Sequence, residues 1–162
     1  MEIRRLDASC ADALAPLAAA FRATLCSLSD FSSQGDVNMA KEELLEYFQA
    51  GYPIYAAEES DTFVGYVVCR TQDGLVWVEQ LYVDPAFRRR GIASRLFEQA
   101  EALALENGEE TVFNYVHPNN DAVIRFLRAR GYTVLNLLEI RKPYRAEKPR
   151  RTIDVNGYRF DY

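Results

Sequence analysis

The stretch Val78-Glu79-Gln80-Leu81-Tyr82-Val83-Asp84-Pro85-Ala86-Phe87-Arg88-Arg89-Arg90-Gly91-Ile92-Ala93 places an apolar run, an arginine triplet and a glycine ahead of a helical pattern. That order predicts a strand, a short basic turn and a helix start. A helix start leaves several backbone N–H groups without intrahelical partners and carries about half a positive charge, so a phosphate or pyrophosphate held there satisfies both. Gly91 and Ala93 keep the approach free of bulk. Arginine triplets commonly form solvated turns, but the adjoining Gly91 and helix start favour an anion cradle. The pattern says phosphate and names no ligand, since neither GxGxxG nor GxxxxGK[ST] occurs.

Glu79 is the second residue with chemical content. It interrupts the otherwise apolar run Leu75 to Val83, which as a central strand is covered on both faces, so a carboxylate there needs a reason. It either points to solvent at a strand bend or takes part in proton transfer. His117, the single histidine, follows a predicted strand, but no Ser, Cys or carboxylate at a telling spacing supports a catalytic role. Cys10, Cys26 and Cys69 form no CxxC pair, which fits a reducing compartment and gives no support to a metal site.

The elements that must position these residues follow from periodicity and turn chemistry. Glu2 to Leu6 reads as a strand, and Asp7 caps a helix with Ala11, Leu14, Ala18, Phe21 and Leu25 on one face. Ser27 to Asp36 reads as a mobile connection to a second helix from about Met39 to Ala50. Strands Ile54 to Glu59, Thr62 to Thr71 and Leu75 to Val83 are joined by Ser60-Asp61 and Asp73-Gly74, an antiparallel meander. A helix from Gly91 to about Glu106 ends at Asn107-Gly108, and Thr111 to Val116 is the next strand. Pro118 and Asn119 start a helix to Arg130, Gly131 ends it, and Tyr132 to Lys142 closes the sheet.

The predicted order is β-α-α-β-β-β-α-β-α-β, a mixed α/β sheet with helices on both faces, over residues 1–142. Residues 143–162 form an extension in which Thr152 to Val155, Asn156-Gly157 and Tyr158 to Tyr162 spell a β-hairpin. The hairpin either joins a second copy of the chain in a homodimer or folds back on its own domain.

Composition bounds the partners. With 162 residues, 49% hydrophobic and 27% charged, the chain can build a core without disulfide or metal staples. A net charge of −5 argues against a general nucleic-acid binder, which needs a clustered positive surface, and mildly favours cationic substrates. No signal-peptide core or apolar run near the roughly 20 residues of a membrane span is read, so a cytoplasmic protein with no membrane partner is expected.

Arg88, Gly91 and Ala93 match Arg or Gln, two residues, Gly, one residue, Gly or Ala, with Val83-Asp84-Pro85 before them. In this the chain resembles the GNAT superfamily of N-acetyltransferases, and with the element order the resemblance covers about Glu2 to Lys142. It implies an acetyl-CoA-dependent acyltransferase acting on an amine by direct attack in a ternary complex. It further implies that backbone amides across Arg88, Arg89, Arg90, Gly91, Ile92, Ala93 and Ser94 hold the pyrophosphate of acetyl-CoA. Leu81, Tyr82 and Val83 would line the pantetheine arm, with the Leu81 amide polarising the thioester carbonyl.

By the same resemblance Glu79 stands where some members keep a catalytic base, and Asn120 falls on a CoA-contacting asparagine. Leu127 stands where many members carry the tyrosine that protonates the leaving thiolate; Tyr82, Tyr115 and Tyr144 are the substitutes available. That departure motivates an alternative, a non-catalytic acyl-CoA-binding or sensor module. A protein-interaction domain working through the hairpin is a third reading. The acceptor amine is not encoded legibly, although Ser27 to Asn38 and the loops around His117 and Pro143 would choose it.

Overall fold

The computed structural model describes residues 1–28, 34–146 and 151–162. They fall into two compact units, Met1–Tyr115 and Val116–Tyr162.

The first unit carries β1 (Glu2–Arg5), α1 (Ala11–Leu28), α2 (Val37–Gln49), β2 (Ile54–Glu59), β3 (Thr62–Gln72), β4 (Leu75–Val83), α3 (Ile92–Glu106) and β5 (Phe113–Asn114). Its sheet runs β1-β2-β3-β4-β5, antiparallel through β4, with a parallel β4–β5 pair across the α3 crossover. The hairpin turns form as their residues dictate. Ser60 and Asp61 take φ of 51° and 60°, and Asp73 and Gly74 take 51° and 85°, the left-handed pairs that match the twist of two-residue hairpins.

Helices cover both faces. On one, Leu14 and Ala18 of α1 and Ala40 and Leu44 of α2 pack with Ile54, Ala56, Tyr66, Val68 and Tyr82 of the sheet. On the other, α3 lies on β3 and β4 and buries Ile92, Leu96, Phe97, Ala100 and Ala104. Each fully buried leucine or valine contributes about 1.5–3 kcal/mol, so these two layers hold the strands that frame the site. Asp36 begins α2 by accepting from the amides of Asn38 and Met39 at 2.8 and 3.0 Å. Asp7 caps a short 3-10 turn, Ala8–Cys10, that leads into α1.

Three expectations need correction. The strand expected over Thr111 to Val116 reduces to Phe113–Asn114, which pair with Trp77 and Val78 of β4; beyond that pair the two strands diverge and the ladder ends. Tyr132 to Lys142 forms no strand: Val134, Leu135, Leu137, Leu138 and Ile140 are exposed, and a strand exists only where a neighbour satisfies its backbone groups. Third, the helical stretch Ala8–Leu28, at 21 residues, is long and apolar enough to cross a membrane by length and composition. Its alanines carry that apolarity without forming an unbroken run of large residues, and Ala11, Leu14, Ala15, Leu17, Ala18 and Ala19 are buried in the core.

The second unit holds α4 (Asp121–Ala129) and a two-stranded sheet of β6 (Thr152–Val155) and β7 (Tyr158–Asp161). Gly131, at φ 88°, ends α4 as its position foretold, with the Tyr132 amide bonded to the Leu127 carbonyl at 3.0 Å. Asn156 and Gly157, at φ 54° and 83°, turn the hairpin. Of the predicted connection Ser27 to Asp36, residues 29–33 lie outside the described residues.

Candidate active site

The arginine turn starts with Asp84, whose carboxylate accepts from the Ala86 amide at 2.8 Å and sets a 3-10 turn over Pro85–Phe87. Arg89 and Gly91 then adopt φ of 65° and 77°. Gly91 is the N-cap of α3 and supplies no side-chain cap; its carbonyl accepts the Arg95 amide at 3.1 Å. The first-turn amides of Ile92, Ala93 and Ser94 precede that first helical bond and have no intrahelical acceptor. A Cβ on Gly91 would meet no protein atom within 4 Å, so within the fold itself glycine is favoured there by its backbone angle.

The three arginines differ. The Arg88 Nε donates to the Val83 carbonyl at 2.9 Å, and its guanidinium lies 5.5 Å from the Tyr82 ring centre, so this side chain ties the turn to the end of β4. Arg90 pairs with Glu59 at 3.2 Å and lies over Phe87. Arg89 is exposed.

β4 parts from β5 immediately upstream of this turn. The parallel pair ends at Val78 and Asn114, while β4 stays paired to β3 as far as Val83. The Asp84 amide bonds the Val64 carbonyl at 2.9 Å on the β3 side. Alternation along a strand therefore turns the N–H groups of Leu81 and Val83 to the opposite edge, where β5 no longer pairs. Within the same strand, Val68 faces Gln80 and Cys69 faces Val78, leaving Glu79 as the extra residue of a β-bulge. Glu79 is thus neither a core residue nor a freely solvated one.

Its side chain, 24% exposed, accepts from Arg70 Nε at 2.5 Å. Arg70 also donates to Gln72 at 3.1 Å and lies 4.4 Å over the Trp77 ring, which packs against Phe113 at 5.3 Å. Burial works against the Arg70 charge, but the bond and charge of Glu79, helped by Tyr115, outweigh it and hold the guanidinium above its ordinary range.

Behind the bulge lies a polar chain that the sequence did not reveal. Gln80, 2% exposed, accepts from the Tyr66 hydroxyl at 2.6 Å and donates to the Tyr47 hydroxyl at 3.3 Å. Tyr47 donates to Glu43 at 2.8 Å, and Glu43 pairs with Arg22. Burial pushes the Tyr47 phenol up, and the Tyr66 phenol further. The one available signal was a polar residue flanked by Val78 and Tyr82 at the core-facing period of β4.

Asn120 and Leu127 belong to the second unit. There the Asn120 side chain caps α4, accepting the Val123 amide at 3.3 Å, and Leu127 is buried. The His117 Nδ1 accepts from the Asn119 amide at 3.1 Å, a loop-shaping bond. Of the three tyrosines considered as acids, Tyr82 is buried against Phe21, Tyr115 is exposed beside Arg70, and Tyr144 lies in the second unit over which Arg141 stacks at 4.7 Å.

Comparison with known proteins fits this architecture. No curated protein sequence matches the chain. Among solved structures, the PaiA N-acetyltransferase of Thermoplasma acidophilum, in complex with coenzyme A, is 20% identical at a TM-score of 0.67, covering 80% of this chain and 87% of that one. A ribosomal-protein-alanine N-acetyltransferase of Brucella melitensis is 19% identical at 0.66, with 89% and 100% covered. The aminoglycoside acetyltransferase AAC(6')-Iy, bound to a bisubstrate analogue, is 18% identical at 0.65, with 88% and 98% covered. At these identities the likeness is one of fold. The model of the acetyltransferase (GNAT) family matches residues 22–132, more than half of the sequence and the whole of the β4–α3 site, and the chain belongs to that family.

Proposed function

We propose that the protein transfers the acetyl group of acetyl-CoA to a primary amine by direct attack within a ternary complex. The observation that carries this reading is the parting of β4 from β5 after Val78, with the Leu81 and Val83 N–H groups turned into the opening and the uncapped start of α3 at its end. A pantetheine arm can bond that strand edge as a missing neighbour would, and the pyrophosphate can take the amides from Arg88 to Ser94. The Leu81 N–H stabilises the charge that develops on the thioester oxygen during attack.

Glu79, two residues before Leu81, anchors the acceptor as its ammonium form and receives the first proton. An alkylamine of pKa about 10.4 needs roughly 4.6 kcal/mol to lose that proton at pH 7, so a carboxylate beside the reacting nitrogen lowers a substantial barrier. In the full exchange the C–S bond breaks and the C–N bond forms. Of the two protons leaving the ammonium, one ends on the CoA thiol and the other in solvent. The free thiols of Cys10, Cys26 and Cys69 suit a cytoplasmic setting.

Thermal melting with acetyl-CoA, CoA and ATP, followed by CoA release with a panel of amines, tests the reading. Ligand at about 100 times its dissociation constant adds roughly 2.7 kcal/mol, or about 5–11 °C for a chain of this size. Stabilisation by acetyl-CoA and CoA, with amine-dependent thiol release, is the expected result. Stabilisation without release from any amine would favour the acyl-CoA sensor suggested by Leu127, and absence of both would overturn the proposal.

A further inference from the structure

The Arg70–Glu79 pair restricts which amine can be the acceptor, an inference that rests on the acetyltransferase reading above. Both side chains are about four-fifths buried, at 21% and 24% exposure, and meet at 2.5 Å on the sheet face where Gln80 and Tyr82 also point. A partly buried pair of this kind adds only modestly to stability, so tying β3 to β4 is a weak reason for this one. Its position is more telling: the carboxylate sits on the bulge, two residues from the amide assigned to the thioester oxygen.

An acceptor that brings only an ammonium must displace Arg70 from Glu79 and leave a guanidinium without its counter-charge. A diamine or polyamine is worse served, since its second cation meets Arg70. An acceptor carrying a carboxylate beside its amine exchanges one pair for two: ammonium on Glu79, carboxylate on the planar fork of Arg70, which suits bidentate contact. The surroundings are aromatic. Trp77 packs on Phe113, and Tyr115, 65% exposed, adjoins Arg70, so an apolar side chain finds rings to rest on.

We propose that the acceptor is a zwitterion of the α-amino-acid type with an apolar side chain, its carboxylate read by Arg70 and its ammonium by Glu79. The test compares CoA release with leucine and phenylalanine, the matching amino-acid amides, and spermidine, after acetyl-CoA binding is confirmed by thermal shift. The acids are expected to exceed their amides in kcat/KM by about tenfold or more, because a site built for a polar group rejects the analogue lacking it. Arg70→Gln is expected to raise KM for the acids about tenfold, to lower KM for the amides because Glu79 is freed from its partner, to leave the acetyl-CoA Kd nearly unchanged, and to be partly rescued for the acids by Arg70→Lys.

Amides or spermidine acetylated as well as the acids by the wild-type protein would overturn this acceptor class while leaving acetyl transfer intact. So would acetyl-CoA binding with no turnover of either amino acid. The wild-type comparison needs no variant and holds even if Arg70→Gln fails to fold. No acetyl-CoA shift at all would bring down the underlying reading and the acceptor with it.

Discussion

Glu79 has one oxygen committed to Arg70 and stands on a bulge whose next core-facing neighbour is Gln80, so its effect on turnover is separable from the cofactor cradle. Glu79→Gln keeps the size and the hydrogen-bonding reach but removes the charge proposed to hold an ammonium and take its proton. It is expected to lower kcat/KM about 100-fold, the scale of a lost general base, with an acetyl-CoA Kd within about twofold of wild type. Steady-state kinetics beside calorimetric titration checks this, and near-normal turnover would remove Glu79 from the chemistry. Arg88 works differently. Its bond to the Val83 carbonyl holds the turn against β4, so Arg88→Ala is expected to weaken acetyl-CoA binding about fivefold by loosening the cradle and removing a charge from it.

At the scale of elements, the site depends on how α2 is fastened to the bulged part of β4. The chain from Tyr66 through Gln80 and Tyr47 to Glu43 and Arg22 links β3, β4, α2 and α1 by side-chain bonds that run from the buried Tyr66–Gln80 pair out to an exposed ion pair. A half-broken buried network costs more than none, because the orphaned partner stays out of water. Gln80→Leu, similar in volume, strands the Tyr66 hydroxyl and is expected to destabilise the fold by about 1–3 kcal/mol in urea unfolding. Gln80→Leu paired with Tyr66→Phe should recover part of that loss, since the second change removes the orphan. A double variant no more stable than the single one would show that the Tyr66–Gln80 bond is not the source.

For the whole molecule, the contrast between Cys69 and the other thiols gives a pH signature. Burial in the sheet pushes the Cys69 thiol up to about 12, whereas Cys10 and Cys26 are half-buried. A native protein at pH 8 is therefore expected to label at Cys10 and Cys26 and to spare Cys69 until it unfolds. Linkage fixes the sign for stability. The unfolded thiol ionises near 9.0 and the folded one near 12, so the unfolded state binds fewer protons between those values and stability falls as pH rises through that window. Unfolding midpoints measured from pH 8 to pH 11 check this, with Cys69→Ser or Cys69→Val expected to flatten the decline.

What was readable from the chain alone was the part that local backbone chemistry decides. Asp73-Gly74 and Asn156-Gly157 specify left-handed turn pairs, Gly131 a helix end, and Arg88-Arg89-Arg90-Gly91 a strand-to-helix turn, because the few residues that tolerate positive φ or start helices act through their own neighbours. The helical period likewise named the buried face of α1 through Leu14 and Ala18. The family resemblance rested on the spacing of Arg88, Gly91 and Ala93 together with the order of the elements. The bulge at Glu79, the short reach of β5, the Arg70–Glu79 pair and the Gln80 chain were decided by tertiary structure. Each depends on register between strands distant in sequence, where a slip of one residue moves a side chain to the other face. That Tyr132 to Lys142 forms no strand has the same cause: an apolar pattern becomes a strand only where another strand's backbone groups meet it.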